Sequence, residues 1–248
     1  MSPPVDHAVC YLRRHQALYG DQLSLDQPIT PDKPLRAHEN VDEQAASLAA
    51  FEEEIRECRK CTLEAARTKF VFGVGSPEAD MVFVGEAPGY EEDRQGEPFV
   101  GKAGKLLDRI LAAIQLSRRE VYICNILKCR PPNNRDPLAA EVSQCLPYLK
   151  EQLRIIHPKL VVALGRVAAK TLLGVEESLK NMRQQVYNYE GVELRVTYHT
   201  AALLRNPALK APAWEDFQAI RDRYRELTGQ PPIESQGKSQ SAGKSTTS

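Results

Sequence analysis

Two rhythms of apolar and polar residues run through the middle of this chain, and the switches between them mark its elements. "LAAFEEEIREC" (48–58) repeats its apolar residues at helical spacing, and "ADMVFVG" (79–85) is a compact apolar run of strand length. "GKLLDRILAAI" (104–114) returns to the helical period, and "EVYICNIL" (120–127) to the strand. "PLAAEVSQCLPYLKEQLRII" (137–156) predicts a long helix with a bend at Pro147. "KLVVALG" (159–165) has almost no polar residue, the pattern of a strand covered on both faces. "RVAAKTLL" (166–173) is helical, "VELRVTYH" (192–199) a strand, and "AWEDFQAIRDRYREL" (213–227) a closing helix. Strand–helix alternation over this length predicts a parallel sheet with helices on both sides.

The ends differ. Residues 1–45 read as an appendage: "VDHAVCYLRRHQALYG" (5–20) as a short helix, then a proline- and acid-rich linker. Residues 46–228 hold the alternating pattern, and 229–248 read as a disordered tail poor in apolar residues. No internal repeat is present.

Composition narrows the class. The 248 residues are 42% hydrophobic, with 33 Lys+Arg against 33 Asp+Glu. A net charge of zero argues against a strongly basic nucleic-acid binder, so any such surface must be a local patch. Residues 1–45 carry four basic against seven acidic residues, which leaves a mild +3 on the remainder. No apolar run approaches the ~18 residues that span a bilayer, and no secretory pattern opens the sequence. The expectation is a cytoplasmic protein without membrane contact, in which disulfides are disfavoured.

Ligands in parallel α/β sheets sit beyond the carboxyl ends of the strands, and there the sequence is unusual. Four strands end in "GEAPGYEED", "CNILKCRPPNNRDP", "GRVAAK" and "YHTAALLRNP". The acidic triplet Glu91, Glu92 and Asp93 reads as a solvated loop. Six cysteines also need an explanation. Cys58 and Cys61 form C-x-x-C, Cys129 follows a strand and Cys145 lies on a helix; Cys124 reads as a core residue and Cys10 is left over. Four thiols suit a [4Fe–4S] cluster or a structural zinc. A redox dithiol at Cys58/Cys61 is a further reading. The wide second spacing is unlike the paired knuckles of zinc ribbons and favours a cluster.

In their order and combination, "GEAPGYEED", "GEPFVGKAGKLLDRIL", "CNILKCRPPNNRDP" and "TYHTAALLRNP" resemble the family 4 uracil-DNA glycosylases over about residues 47–227. The resemblance implies a three-layer α/β/α sandwich around a mainly parallel four-stranded sheet. It also implies a [4Fe–4S] cluster on Cys58, Cys61, Cys129 and Cys145, and excision of uracil from single- or double-stranded DNA by a monomer. By motif position, Phe99 stacks on the flipped uracil, Asn125 reads its polar edge, His199 faces O2, and Glu86 lies near the sugar and the attacking water. Gly85 and Ala87 belong to the same pocket. Leu203 takes the place of an apolar wedge that enters the gap left by the base. Lys102, Arg166 and Arg205 are the basic candidates for phosphates, and the helix starts near Gly101–Lys105 and Gly165–Arg166 could hold phosphates on free N–H groups. One position departs from the pattern: His199 is followed by Thr200 instead of proline, which is expected to leave the backbone freer. Two other readings stand beside this one: a nucleic-acid binder of the same fold with weak turnover, and a glycosylase for other deaminated bases.

Overall fold

The computed structural model describes residues 41–183 and 185–231; the expected helix at 5–20 and the tail from 232 lie outside them. The described residues begin with α1 (Val41–Ile55), five residues ahead of the expected start at 46. Six strands follow: β1 (Val74–Gly75), β2 (Met81–Gly85), β3 (Tyr122–Asn125), β4 (Leu160–Leu164), β5 (Tyr187–Tyr189) and β6 (Val192–Thr197). Between and after them lie α2 (Tyr90–Gln95), α3 (Lys102–Ala113), α4 (Ala139–Ile156), α5 (Arg166–Leu173), α6 (Leu179–Met182), α7 (Thr200–Arg205) and α8 (Lys210–Thr228).

The strands form one sheet in the order β1-β3-β2-β4-β6-β5. The four central strands β3, β2, β4 and β6 are parallel, as expected. The structure adds two short antiparallel edges, β1 on β3 and β5 on β6. These two- and three-residue segments are too brief to show a period of two in the sequence.

Every residue of β2, β3 and β4 is buried, and alternate side chains feed opposite cores. Val82, Val84, Cys124, Val161 and Ala163 join Leu48, Leu149 and Leu172 on one face. Met81, Phe83, Ile123, Leu160 and Val162 join Leu107, Leu111, Phe217 and Ile220 on the other. The strand period of two thus creates the three layers: α1, α4 and α5 cover one face, α3 and α8 the other. Cys124 is fully buried, as a core residue should be. Phe83 lies against Phe217 with both rings out of solvent; truncating either costs about 3–5 kcal/mol. Helix α4 runs unbroken through Pro147.

The acidic triplet is not a solvated loop. It lies in α2, and two of its carboxylates hold main-chain N–H groups of neighbouring segments. Asp93, 3% exposed, accepts from Thr68 N at 2.8 Å. Glu92 Oε1 accepts from Val100 N at 3.0 Å and from Gly101 N, the residue that caps α3, at 2.9 Å.

Candidate active site

The parallel register brings the carboxyl ends of β2, β3, β4 and β6 to one edge of the sheet. There they border a cavity of about 500 Å³. Glu86 and Ala87 enter it from the end of β2, Asn125 from β3, Gly165 and Arg166 from β4 and α5, and His199 and Arg205 from the β6–α7 segment. Phe99 arrives from the loop between α2 and α3.

Asn125 is the last residue of β3 and pairs with Gly85 of β2. It is 2% exposed, and its Oδ1 has no hydrogen-bond partner. An unsatisfied buried acceptor costs about 1–3 kcal/mol. Bordering a cavity, it offers a ready acceptor for a ligand N–H. Gly85 is glycine for a local reason: a Cβ there would lie 2.3 Å from Asn125 Oδ1 and 2.7 Å from Phe99 Cζ.

Phe99 is held in a strained turn. Its φ of 56° is left-handed, which is rare outside glycine. Four hydrogen bonds hold it. Arg118 donates to the carbonyls of Phe99 at 3.1 Å and Pro98 at 2.7 Å, and Glu92 takes the next two N–H groups. Gly104 lies under the loop, where a Cβ would come 1.7 Å from the Phe99 oxygen. The ring is 4% exposed and stacks on His199 at 5.3 Å and 29°, so it packs as core on one side and borders the cavity on the other. The loop closes the ring into the wall of the pocket instead of holding it in solvent.

His199 caps α7. Its Nδ1 accepts from Ala201 N at 3.1 Å, so the neutral ring carries its proton on Nε2. Burial, reinforced by Arg205 against a smaller opposing pull from Glu92, pushes its pKa down to about 4. Gly165 has a φ of 91° and clears the His199 Cβ, which an added methyl would approach to 2.9 Å. The backbone of His199 (φ −65°, ψ 136°) already has the conformation that a residue before proline prefers. Threonine at 200 therefore does not loosen it: the Nδ1 cap and the Ala202 N–H on the His199 carbonyl hold it in place. Thr200 is instead fully buried, with an Oγ1 that has no partner.

Glu86 is half-buried. Desolvation and the nearby negative charge of Asp136 push its pKa up to about 7, against the pull of Arg166 and Arg205. Arg166 is exposed and pairs with Asp136 at 3.4 Å. Lys102 is exposed in the first turn of α3, outside the cavity lining. Leu203 contradicts its expected place. It is 2% exposed and faces inward, whereas its neighbour Leu204 is 42% exposed. The six-residue α7 turns consecutive side chains about 100° apart, and position 203 falls on its buried side. Sequence reasoning missed Arg118, Gly104 as a packing requirement, and Glu92 as a clamp. Glu92 stood inside a quoted motif, but nothing near Arg118 in the sequence links it to Phe99.

A second cavity gathers the cysteines. Cys58 and Cys61, from the end of α1 and the 3-10 turn Thr62–Ala66, line it with Cys129 and with Cys145 of α4. Donors reach the sulfurs: Lys128 N to Cys145 at 3.2 Å, Tyr148 Oη to Cys58 at 3.2 Å and Arg67 to Cys129 at 3.5 Å. Burial pushes the Cys145 thiol up to about 12. Among the described residues the thiols do not form a closed metal-binding group as they stand. Nonetheless, four sulfurs around one cavity, each of three with an N–H or O–H donor, match the donor set of a thiolate-bound centre.

An α/β sheet with an amide, a histidine and an aromatic lining one cavity at its strand ends defines a candidate small-ligand site. Residues 72–218 match the family described as the Uracil DNA glycosylase superfamily, and the chain belongs to that family, in its type-4 branch. It is 47% identical to the type-4 uracil-DNA glycosylase of Archaeoglobus fulgidus over 70% of this chain and 92% of that protein. Identity to the type-4 uracil-DNA glycosylase of Sulfurisphaera tokodaii is 45%, over 71% of this chain and 84% of the relative. A type-5 uracil-DNA glycosylase of Pyrobaculum aerophilum is 32% identical over 52% of this chain and 64% of its own length.

Proposed function

We propose that this chain is a uracil-DNA glycosylase that flips uracil out of DNA and hydrolyses its N-glycosidic bond, leaving an abasic site. The observation that carries the reading is the buried, unpartnered Asn125 Oδ1 beside Phe99 and His199. Uracil presents N3–H as donor and O4 as acceptor, which one amide can pair together. Cytosine reverses that pattern and leaves buried groups unpaired, so discrimination is large. The Phe99 ring supplies a stacking wall, worth about 1–3 kcal/mol per base, which offsets part of the cost of extrusion.

Cleavage makes the sugar oxocarbenium-like and leaves negative charge on uracil O2. His199, neutral with its proton on Nε2, donates to that oxygen without first having to lose a proton. A donor of this type contributes about 3–4 kcal/mol. Glu86, with a pKa of about 7, is suited to orient water and take its proton, and its carboxylate form stabilises the cationic sugar. Ala87 lines the pocket, and Gly85 leaves room for the Asn125 amide and the Phe99 ring. Arg166, Arg205 and Lys102 are exposed cations for backbone phosphates.

Cys58, Cys61, Cys129 and Cys145 would hold a [4Fe–4S] cluster. Held there, it would be structural, with the four cysteines joining the end of α1 to the β3 exit and to α4. Among the described residues no helix is long and apolar enough to cross a membrane.

The deciding experiment is excision on labelled oligonucleotides carrying uracil, hypoxanthine or a normal base, single-stranded and duplex, with alkali to cut abasic products. Uracil-dependent strand breaks are expected. Binding without breaks would overturn the assignment as an enzyme, and preferred cutting at hypoxanthine would overturn the assignment to uracil.

A further inference from the structure

The β3 exit carries a buried lysine for which the reaction above has no use. Lys128 is fully buried, yet its Nζ meets two neutral oxygens: the main-chain carbonyl of Asn125 at 2.9 Å and Gln152 Oε1 at 2.5 Å. Gln152, also fully buried, donates onward to the Phe72 carbonyl at 3.0 Å and Tyr122 Oη at 3.1 Å. Burying an amine is costly even with the Cys124 and Cys145 sulfurs near enough to favour its charge, and an apolar side chain of similar volume is the cheaper way to fill a core. The contact it makes is therefore the feature to explain.

Asn125 is where β3 stops. Just beyond it, Ile126 N and Leu127 N still bond to Gly85 O and Glu86 O of the β2 exit. Those bonds fix one side of the turn. On the other side the Asn125 carbonyl is held by Lys128, whose side chain folds back three residues. Fixing that carbonyl fixes the peptide plane after Asn125, and with it the direction in which its amide leaves the backbone. The main-chain N–H of the same lysine donates to Cys145 Sγ. One residue thus grips the base-reading position with its side chain and the four-cysteine centre with its backbone.

We propose that Lys128 is a positioning residue that aims the Asn125 amide into the pocket and links that aim to the cysteine centre. The inference rests on the assignment of Asn125 as the uracil reader. It is tested by a double-mutant cycle on the full chain: wild type, Lys128→Met, Asn125→Ala and the double variant. Single-turnover excision of uracil is read beside melting midpoint and iron per chain. Lys128→Met should slow excision about tenfold, while in the Asn125→Ala background the same change should cost almost nothing, because contacting residues couple. Equal losses in both backgrounds, or no loss in either, would overturn the proposal. If Asn125→Ala by itself leaves excision unchanged, the assignment of Asn125 falls instead. Should Lys128→Met not fold, Gln152→Met frees Nζ from its outer anchor. A smaller loss that again vanishes with Asn125→Ala supports the proposal, and an undiminished one overturns it.

Discussion

Replacing Gly85 by alanine adds one methyl group at the point where the base-reading amide and the stacking ring meet. The new Cβ would lie 2.3 Å from Asn125 Oδ1 and 2.7 and 2.8 Å from two carbons of the Phe99 ring, where ordinary contact begins at 3.4 Å. Both neighbours must retreat by about 1 Å, a displacement that costs about 10²-fold in rate when it misaligns reacting groups. Neither has free space. The Phe99 oxygen already rests against Gly104, and Asn125 is held by the β2–β3 ladder and Lys128. Overpacking of this kind also destabilises by about 1–3 kcal/mol, within the ~5–15 kcal/mol available to a domain. The variant should therefore fold and excise slowly. The assay is single-turnover cleavage of a labelled uracil oligonucleotide, well below the melting midpoint measured on the same preparation. Adding Asn125→Ala removes the clashing oxygen and should restore part of the melting midpoint but none of the rate. A folded Gly85→Ala protein that excises at the wild-type rate would refute the placement of Asn125 and Phe99 in one base pocket.

Three further outcomes follow from the site. Glu86, lifted from 4.5 to about 7, should give excision a single rising limb centred near pH 7 that Glu86→Gln abolishes, while His199, near 4, stays neutral throughout. The raised carboxyl also makes the folded protein bind more protons between pH 4.5 and 7. Its stabilising contribution is present at the acid end and lost as pH rises through 7, a slope in melting midpoint that the glutamine variant should lack. Thr200→Val removes the buried, unpartnered hydroxyl and should stabilise by about 1–3 kcal/mol in a denaturant titration; slower excision by that folded variant would show that the hydroxyl works in the site. Cys58→Ala should lower iron per chain and melting midpoint together. Full iron content in that variant would remove Cys58 from the cluster.

By itself the sequence determined the layers. Period-two and period-3.6 patterns are local, so the order of strands and helices, the doubly buried "KLVVALG" strand and the convergence of strand ends were legible. Glu86, Asn125 and His199 stood in motifs at strand ends, and Phe99 in a loop motif that only the family resemblance singled out. The tertiary structure decided what those residues touch. Leu203 and Leu204 are equivalent in the sequence, and the rotation of α7 against the core buries one and exposes the other. Glu92 and Asp93 look like solvent carboxylates until Val100, Gly101 and Thr68 place N–H groups against them. Arg118 reaches Phe99 across 19 residues, and Lys128 becomes a clamp only when α4 sets Gln152 beside it. Local period is written along the chain, whereas burial and partner choice depend on which distant segment arrives opposite.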